Sequence, residues 1–476
     1  MWASERRGGR ASFPAARLAV FGPWALALTA LLLPTSSRAD LLLGDTPAAD
    51  LEQRVDQAIS AGSYRQALRH AEAAVRSLIA ARGRRDCSVG LALTKANLVR
   101  EALGDLRAIK EPAARAVSIL RACPAHRVGL ARALSVASAV SVHREDHAEA
   151  LAELHEALPL AGDVGEIEAQ VRRRLGEVEL RLGDFEAAEH TCLKAGSKVD
   201  ESHVEFARSW LCLGEAYAWR NLHRNAAKVM QRAAIALRQN YGEEHPETAR
   251  GLVRLASYYA QSGSGRKAER MYERAIELLT KSFGTKSRFV AEAKAKLADG
   301  LHASQQDDRA ALLYAEALEG ARLALGDDDP DVATRALELS HFEWCARGNS
   351  AAAERLAKEA VTIRRKALGK RHPSVGRALA EWAERLQAGG ETAEALKALD
   401  QANDIIDEQI PELVGRGSDR QKRVNMGLVR GLTHQTLSLH LQAAADDPNA
   451  AELALRTVLR RKGRVLDALA GDVLQL

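Results

Sequence analysis

The chain has 476 residues, of which 46% are hydrophobic and only 4% aromatic. Its 68 basic and 63 acidic residues leave a net charge of +5, a mixed surface that excludes the basic footprint of a nucleic-acid binder. The apolar share is largely Ala and Leu. No Val/Ile/Thr alternation bounded by hairpin turns runs through it, which excludes a sheet protein and favours helices packed closely through small residues.

The first element is an apolar run from Leu18 to Leu33, preceded by Arg6, Arg7, Arg10 and Arg17 and followed by Pro34 to Asp40. A basic region, an apolar core and a small-x-small end at Ser37 and Ala39 follow the order of a secretory signal. Residues 1–39 are therefore read as a signal peptide cleaved after Ala39. The run is broken by Gly22-Pro23 and is shorter than the roughly 20 residues of a membrane span. The alternative is an uncleaved N-terminal anchor. Either way the body is expected outside the cytosol, periplasmic or secreted, with no stable membrane insertion once the signal is removed. No Cys follows the run, against a lipoprotein anchor. The Ala- and Arg-rich composition suits a GC-rich bacterial genome.

The five cysteines, at 87, 123, 192, 212 and 345, form no C-x-x-C and no Cys/His cluster of zinc spacing. In an oxidising compartment Cys87 with Cys123, and Cys192 with Cys212, are the available bridges. The preferred reading is that each is a small buried hydrophobe between helices. An odd count leaves a free thiol in any case.

From about residue 205 a phrase recurs. Glycines at 242, 284, 326 and 369 stand 42, 42 and 43 residues apart, ending the phrases Tyr241-Gly242, Phe283-Gly284, Leu325-Gly326 and Leu368-Gly369. Three of them run on into a proline, as His245-Pro246, Asp329-Pro330 and His372-Pro373. A fixed period of this size means stacked supersecondary units. Within one unit Trp210, Leu213 and Tyr217 share a face of a first helix, and Gly214 and Ala226 are small so that two antiparallel helices approach closely. Marker alanines at 226, 268, 310, 353 and 395 keep the register. Gly suits a helix end and Pro the start of the next.

Upstream, Tyr64 with Ala67, His147 with Ala150 and Phe185 with Ala188 mark starts of second helices, and Pro112-Ala113-Ala114 begins another. About nine hairpins are expected between 50 and 410. The organisation read is 50–200, degenerate hairpins; 201–410, a regular array of about 42-residue units; 411–476, a C-terminal helical cap or linker.

W-x-x-L-G-x-x-Y over Trp210 to Tyr217, with Ala226 and Ala233, resembles the tetratricopeptide repeat superfamily, and the long units with Leu-Gly-x-x-His-Pro resemble its kinesin-light-chain type. The resemblance covers most of 50–410 and is strongest from 205 to 405. It implies an all-α, right-handed superhelical solenoid of antiparallel helix pairs whose concave groove holds a peptide or partner protein. In addition, Val458 to Leu469, preceded by a helix from Leu428 to Leu441, resembles the linker before CHAT domains, the caspase-like protease domains that follow such arrays in many bacterial proteins. No Cys follows Cys345, so no nucleophile is expected downstream, and this stretch implies the regulatory half of such a system without its catalytic domain.

No phosphate loop, dinucleotide fingerprint, nucleophile elbow or H-E-x-x-H is present. No enzyme activity, catalytic residue, cofactor or metal ligand is expected. His245-Pro246 and His372-Pro373 read as helix caps, since Asp329-Pro330 stands in the same place. His143, His147 and His155 read as a solvated turn rather than a metal site, given Glu145, Asp146 and Glu149. In the family's register the inward second position of successive first helices reads Arg208, Arg250, Glu292, Arg335 and Arg377. The ninth reads Glu215, Ser257, Asp299, Phe342 and Glu384. The resemblance thus implies a basic stripe that takes an acidic segment or a free C-terminus, with Glu215, Asp299 and Glu384 setting register.

Overall fold

The computed structural model describes residues 48–162, 164–415 and 419–473, and side chains within these except 411–428 and 463–473. The expected signal peptide, 1–39, lies outside the described residues. No strand occurs among the described residues.

Twenty α-helices follow one another. Nine antiparallel pairs run α1 (Ala48–Ser60) with α2 (Tyr64–Arg82), α3 (Cys87–Leu103) with α4 (Lys110–Arg121), α5 (Arg127–His143) with α6 (His147–Leu160), and α7 (Gly165–Arg181) with α8 (Phe185–Gly196). They continue as α9 (Val204–Trp219) with α10 (His223–Tyr241), α11 (Pro246–Gln261) with α12 (Gly265–Phe283), and α13 (Arg288–Ala303) with α14 (Asp307–Leu325). The last are α15 (Pro330–Cys345) with α16 (Ser350–Leu368) and α17 (Pro373–Ala388) with α18 (Thr392–Gly415). The chain closes with α19 (Asp419–Ser438) and α20 (Pro448–Val473).

The period follows from fixed helix lengths. Each first helix from α9 to α17 has 16 residues. Each second helix from α10 to α16 has 19. The second helices stop at a glycine of positive φ, 87° at Gly242, in a region essentially reserved to glycine that costs other residues about 1–3 kcal/mol. The next helix begins at a cap. Nδ1 of His203, His245 and His372 accepts the backbone N–H two residues on, at 3.1, 3.1 and 3.2 Å, and Asp329 Oδ1 does the same at 2.9 Å. His and Asp are interchangeable here because each offers an acceptor at the same reach. An accepting Nδ1 carries no proton, so Nε2 does, and burial lowers the pKa of His245 and His372 and keeps both neutral.

The marker alanines Ala226, Ala268, Ala310, Ala353 and Ala395 are all at most 1% exposed, at the closest helix approaches. A Cβ on Gly214 would come 2.1 Å from Met230 Cγ, so the pair α9/α10 depends on its absence. Two pairs of cysteines are disulfide-bonded, Cys87–Cys123 and Cys192–Cys212, with Cα atoms 6.1 and 5.9 Å apart. This corrects the reading of them as separate buried hydrophobes: Cys87 at the start of α3 meets Cys123 in the turn after α4, and Cys192 of α8 meets Cys212 of α9 in the next pair, each close enough to bridge. Cys345 is free and exposed.

The superhelix closes on itself. The turn after α1 packs on the start of α11: His245 Nε2 donates to Ile59 O at 3.3 Å and Tyr64 Oη donates to Glu247 at 3.3 Å, 183 residues apart. The turn after α3 meets α13, where a Cβ on Gly104 would lie 2.5 Å from Arg288 Cδ. The turn after α5 meets α15 and α17, through His143 to Asp329 at 3.1 Å and Arg377 to Glu145 at 2.6 Å. Each of these three turns thus lies against the start of the pair five places later, and the third also reaches the pair after that. The His143–His147 turn is accordingly covered by the next superhelical turn, which corrects its reading as solvated.

At the C-terminus α20 docks on α18. Arg461 donates to Asp407 at 3.0 Å and Asn403 at 2.6 Å, and Arg460 pairs with Asp404 at 3.1 Å. The helix read as Leu428–Leu441 is the latter part of α19 and a π turn over Leu439–Ala443.

Denatured, unreduced protein is expected to expose one alkylatable thiol, Cys345, and five after reduction, counted by mass. Five before reduction would contradict both bridges. Reduction should also lower the melting temperature, since loops of this size confer about 3–4 kcal/mol in the chain-entropy account. His372→Ala should cost about 1 kcal/mol of stability and His372→Asn much less. Equal melting curves for the two variants would remove the capping role.

Candidate functional site

The first helices of the pairs form the inner face. Those of the second, fourth, fifth and sixth pairs, α3, α7, α9 and α11, converge on a cavity of about 180 Å³. Closure of the superhelix sets this geometry, because α3 faces α11 across the interior.

The cavity wall is a ladder of alternating charge. Arg173 donates to Glu205 at 2.7 Å and to Glu177 at 2.8 Å. Arg208 bridges Glu205 at 2.8 Å and Glu247 of the next unit at 2.9 Å. Arg250 pairs with Glu247 at 3.2 Å and lies 4.5 Å over the Phe289 ring, which stands where the next carboxylate of the series would. Arg254 holds Glu215 at 2.5 Å and Glu177 at 3.5 Å, and Arg174 reaches Glu101 at 2.6 Å. Five guanidinium groups thus meet five carboxylates, and the wall carries no net charge. Burial would raise Glu205 and Glu247, yet the guanidinium groups of Arg173, Arg208 and Arg250 outweigh it and hold both at about 2. Removing one partner from such a buried pair typically costs about 3–5 kcal/mol.

One donor in this wall is unused. Arg174 is 9% exposed, lines the cavity and gives one guanidinium nitrogen to Glu101, while its Nε has no acceptor. An uncompensated buried N–H beside a cavity favours an oxygen that can reach it.

The charged inward residues read from the sequence, Glu292 apart, are engaged within the chain. Arg208, Arg250 and Glu215 belong to the ladder. Asp299 accepts from Tyr314 Oη at 2.6 Å and Lys296 at 3.1 Å, and Arg335 pairs with Glu338 at 2.5 Å. Arg377 lies apart from these, at the turn-to-turn contact, on Glu145. Glu384 pairs with Arg385 at 3.2 Å. The four arginines therefore each face a carboxylate, and no unopposed basic stripe forms.

The register needs one correction. The extra residue of the 43-residue unit lies in the turn after α15, which runs 346–349 where the other regular units have three residues. Thr334 and His341 therefore occupy the places of Arg208 and Glu215, and Arg335 and Phe342 sit one position further round. Phe342 is 1% exposed, packed in the core as Ala216 is in its own unit.

Arg173, Arg174 and Glu177 escaped the sequence reading because α7 belongs to the degenerate region with no register to place them. Glu205 and Glu247 carried a signal: both follow a capping histidine by two residues and precede an arginine by three, 42 residues apart.

Comparison with known proteins agrees with this architecture. Residues 205–281 and 332–374 match tetratricopeptide repeat families. A search of curated proteins finds no match. Among solved structures, a Podosopora anserina protein assigned as a kinesin light chain, with nearly identical TPR-like repeats, is 23% identical; the match covers 44% of this chain and 98% of that one, at a TM-score of 0.38. BtubC (BKLC) from P. vanneervenii is 19% identical over 47% of this chain and 90% of its own, at 0.36. A Rap protein complexed with competence and sporulation factor is 14% identical, covering 76% of this chain and 98% of its own, at 0.54. The chain thus carries tetratricopeptide repeats at 205–281 and 332–374 within an all-α solenoid.

Proposed function

We propose that the protein is a non-catalytic scaffold outside the cytosol that binds a peptide or partner protein on the inner face of its superhelix. The observation that carries this is the unused Nε of buried Arg174 in the wall of the inner cavity. A carboxylate, from an acidic side chain or a free C-terminus, supplies the missing acceptor. Arg208 and Arg250 extend the recognising surface, and Glu215, Asp299 and Glu384 set the partner's register by exchanging acceptors with it. Because the ladder is neutral, the ligand exchanges ion pairs rather than being drawn in by net charge. Affinity then depends on geometry more than on salt.

Three further points support the reading. Tetratricopeptide repeats are generally non-catalytic interaction modules. The Rap structure that shares the fold was solved with a bound factor. The bridges Cys87–Cys123 and Cys192–Cys212 suit an oxidising compartment, in keeping with an export signal at 1–39. A second reading, the regulatory half of a caspase-like CHAT protease system, is favoured by one feature. Leu441, Leu455 and Leu459 of the C-terminal cap are 59–70% exposed, a surface that a further domain would cover.

The test is binding of peptides with free or amidated C-termini, and of acidic and neutral sequence, to the wild type and to Arg174→Gln. Carboxylate-bearing peptides should bind the wild type at least about 10-fold more tightly than the variant, the cost expected for a desolvated charge pair. Equal affinity for both proteins, or for free and amidated ends together with acidic and neutral sequences, would rule out the carboxylate site.

A further inference from the structure

We propose that the contact between superhelical turns at His143, Asp329 and Asp331 is a binding site for a divalent metal ion of the zinc class. His143 closes α5 in the third pair, and Asp329 and Asp331 open α15 in the eighth. Their ligand atoms lie within 4.8 Å of one another. The site is separate from the inner cavity and does not depend on the proposed peptide binding.

The argument begins with the hydrogen. His143 Nε2 lies 3.1 Å from Asp329 Oδ2, and a carboxylate can only accept, so Nε2 carries the proton. In that tautomer Nδ1 is a bare lone pair. It has no hydrogen-bond partner, and the side chain that holds it is only 8% exposed. The group it faces is Asp331 Oδ1, 3.9 Å away, another acceptor. A buried acceptor directed at a half-buried carboxylate oxygen is repelled unless something positive lies between them.

The spacing suits an ion. The gap is too long for a hydrogen bond. Two ligands each about 2.0–2.1 Å from a tetrahedral zinc stand about 3.4 Å apart, so closing the gap requires a shift of only about half an ångström. Imidazole nitrogen with carboxylate oxygen is a ligand set that zinc accepts. Asp329 then plays the part of the carboxylate that receives the other ring N–H and fixes the tautomer.

The remaining atoms are already engaged in ways that leave the site open. Asp329 Oδ1 caps α15, accepting from Asp331 N at 2.9 Å. Asp331 Oδ2 accepts Arg288 Nη2 at 2.9 Å, which leaves Oδ1 to the ion. The two carboxylates and one guanidinium carry a charge of −1 together, which favours a dication. His143 Nδ1 and Asp331 Oδ1 are the protein ligands, and water completes the shell. A bound ion would tie the third pair to the eighth, at a contact that elsewhere in the chain rests on hydrogen bonds, ion pairs and apolar packing.

The test is Zn²⁺ titration of the chelator-treated full chain by calorimetry, with Co²⁺ substitution read by visible absorption. One Zn²⁺ per chain is expected, with a higher melting temperature when it is bound. His143→Ala and Asp331→Asn should abolish it, and Asp329→Asn should weaken it about 10- to 100-fold by releasing the tautomer. Should a variant misfold, X-ray absorption of the wild-type zinc protein should still show a shell of one imidazole with oxygens. No saturable binding by the wild type, a sulfur-containing shell, or unchanged affinity in folded His143→Ala and Asp331→Asn would overturn the proposal. In the first case an imidazolium proton shared between the two aspartates would be what the contact holds.

Discussion

The contact between successive superhelical turns is the constraint on which the rest of this structure depends. A solenoid ordinarily touches only its sequence neighbours, and its stability is a sum of nearest-neighbour terms. Here residues about 180 to 230 positions apart meet directly, as Tyr64 meets Glu247 and Arg377 meets Glu145. Those contacts take the first helices out of open solvent and place them around a shared interior. Gly62 shows how tight the fit is: its φ is 68°, and a Cβ there would stand 2.8 Å from Pro246 Cδ.

Closure explains why the interior is built of paired charges. Side chains that would be solvated on an open concave face are enclosed, and an isolated charge in that setting is costly. The array answers with a motif that repeats at its own period. A glutamate two residues past the cap bonds the arginine three residues later, and that arginine reaches the glutamate of the following unit. Glu205, Arg208, Glu247 and Arg250 form this series, and it ends where Phe289 replaces the next carboxylate and receives Arg250 on its ring face.

The same economy of parts appears at the caps. A histidine that caps a helix through Nδ1 necessarily presents a proton on Nε2, and closure brings an acceptor to it, Ile59 O at His245. At Asp329 the roles are exchanged: the cap is the carboxylate, and the histidine, His143, comes from the other turn. One local device therefore ends the loop, begins the helix and joins the turns.

Much of this was legible in the residues alone. The 42-residue steps of the glycines, the marker alanines and the Gly-to-Pro loops determined helix pairs, their order and their buried seams, because each is a local requirement of one unit that recurs with it. The starts of α2, α6 and α8 at Tyr64, His147 and Phe185 were readable on the same ground. What no single unit encodes is superhelical pitch, which accumulates from small rotations between pairs. Only the tertiary structure therefore decided that turns touch, that Glu145 neutralises Arg377, that Glu247 is shared by two arginines, and that Cys87 and Cys192 find their partners. The one-residue insertion behind the misplaced Arg335 belongs to the same class: its position within the unit is invisible to a period counted in residues, and is settled only by where α15 ends.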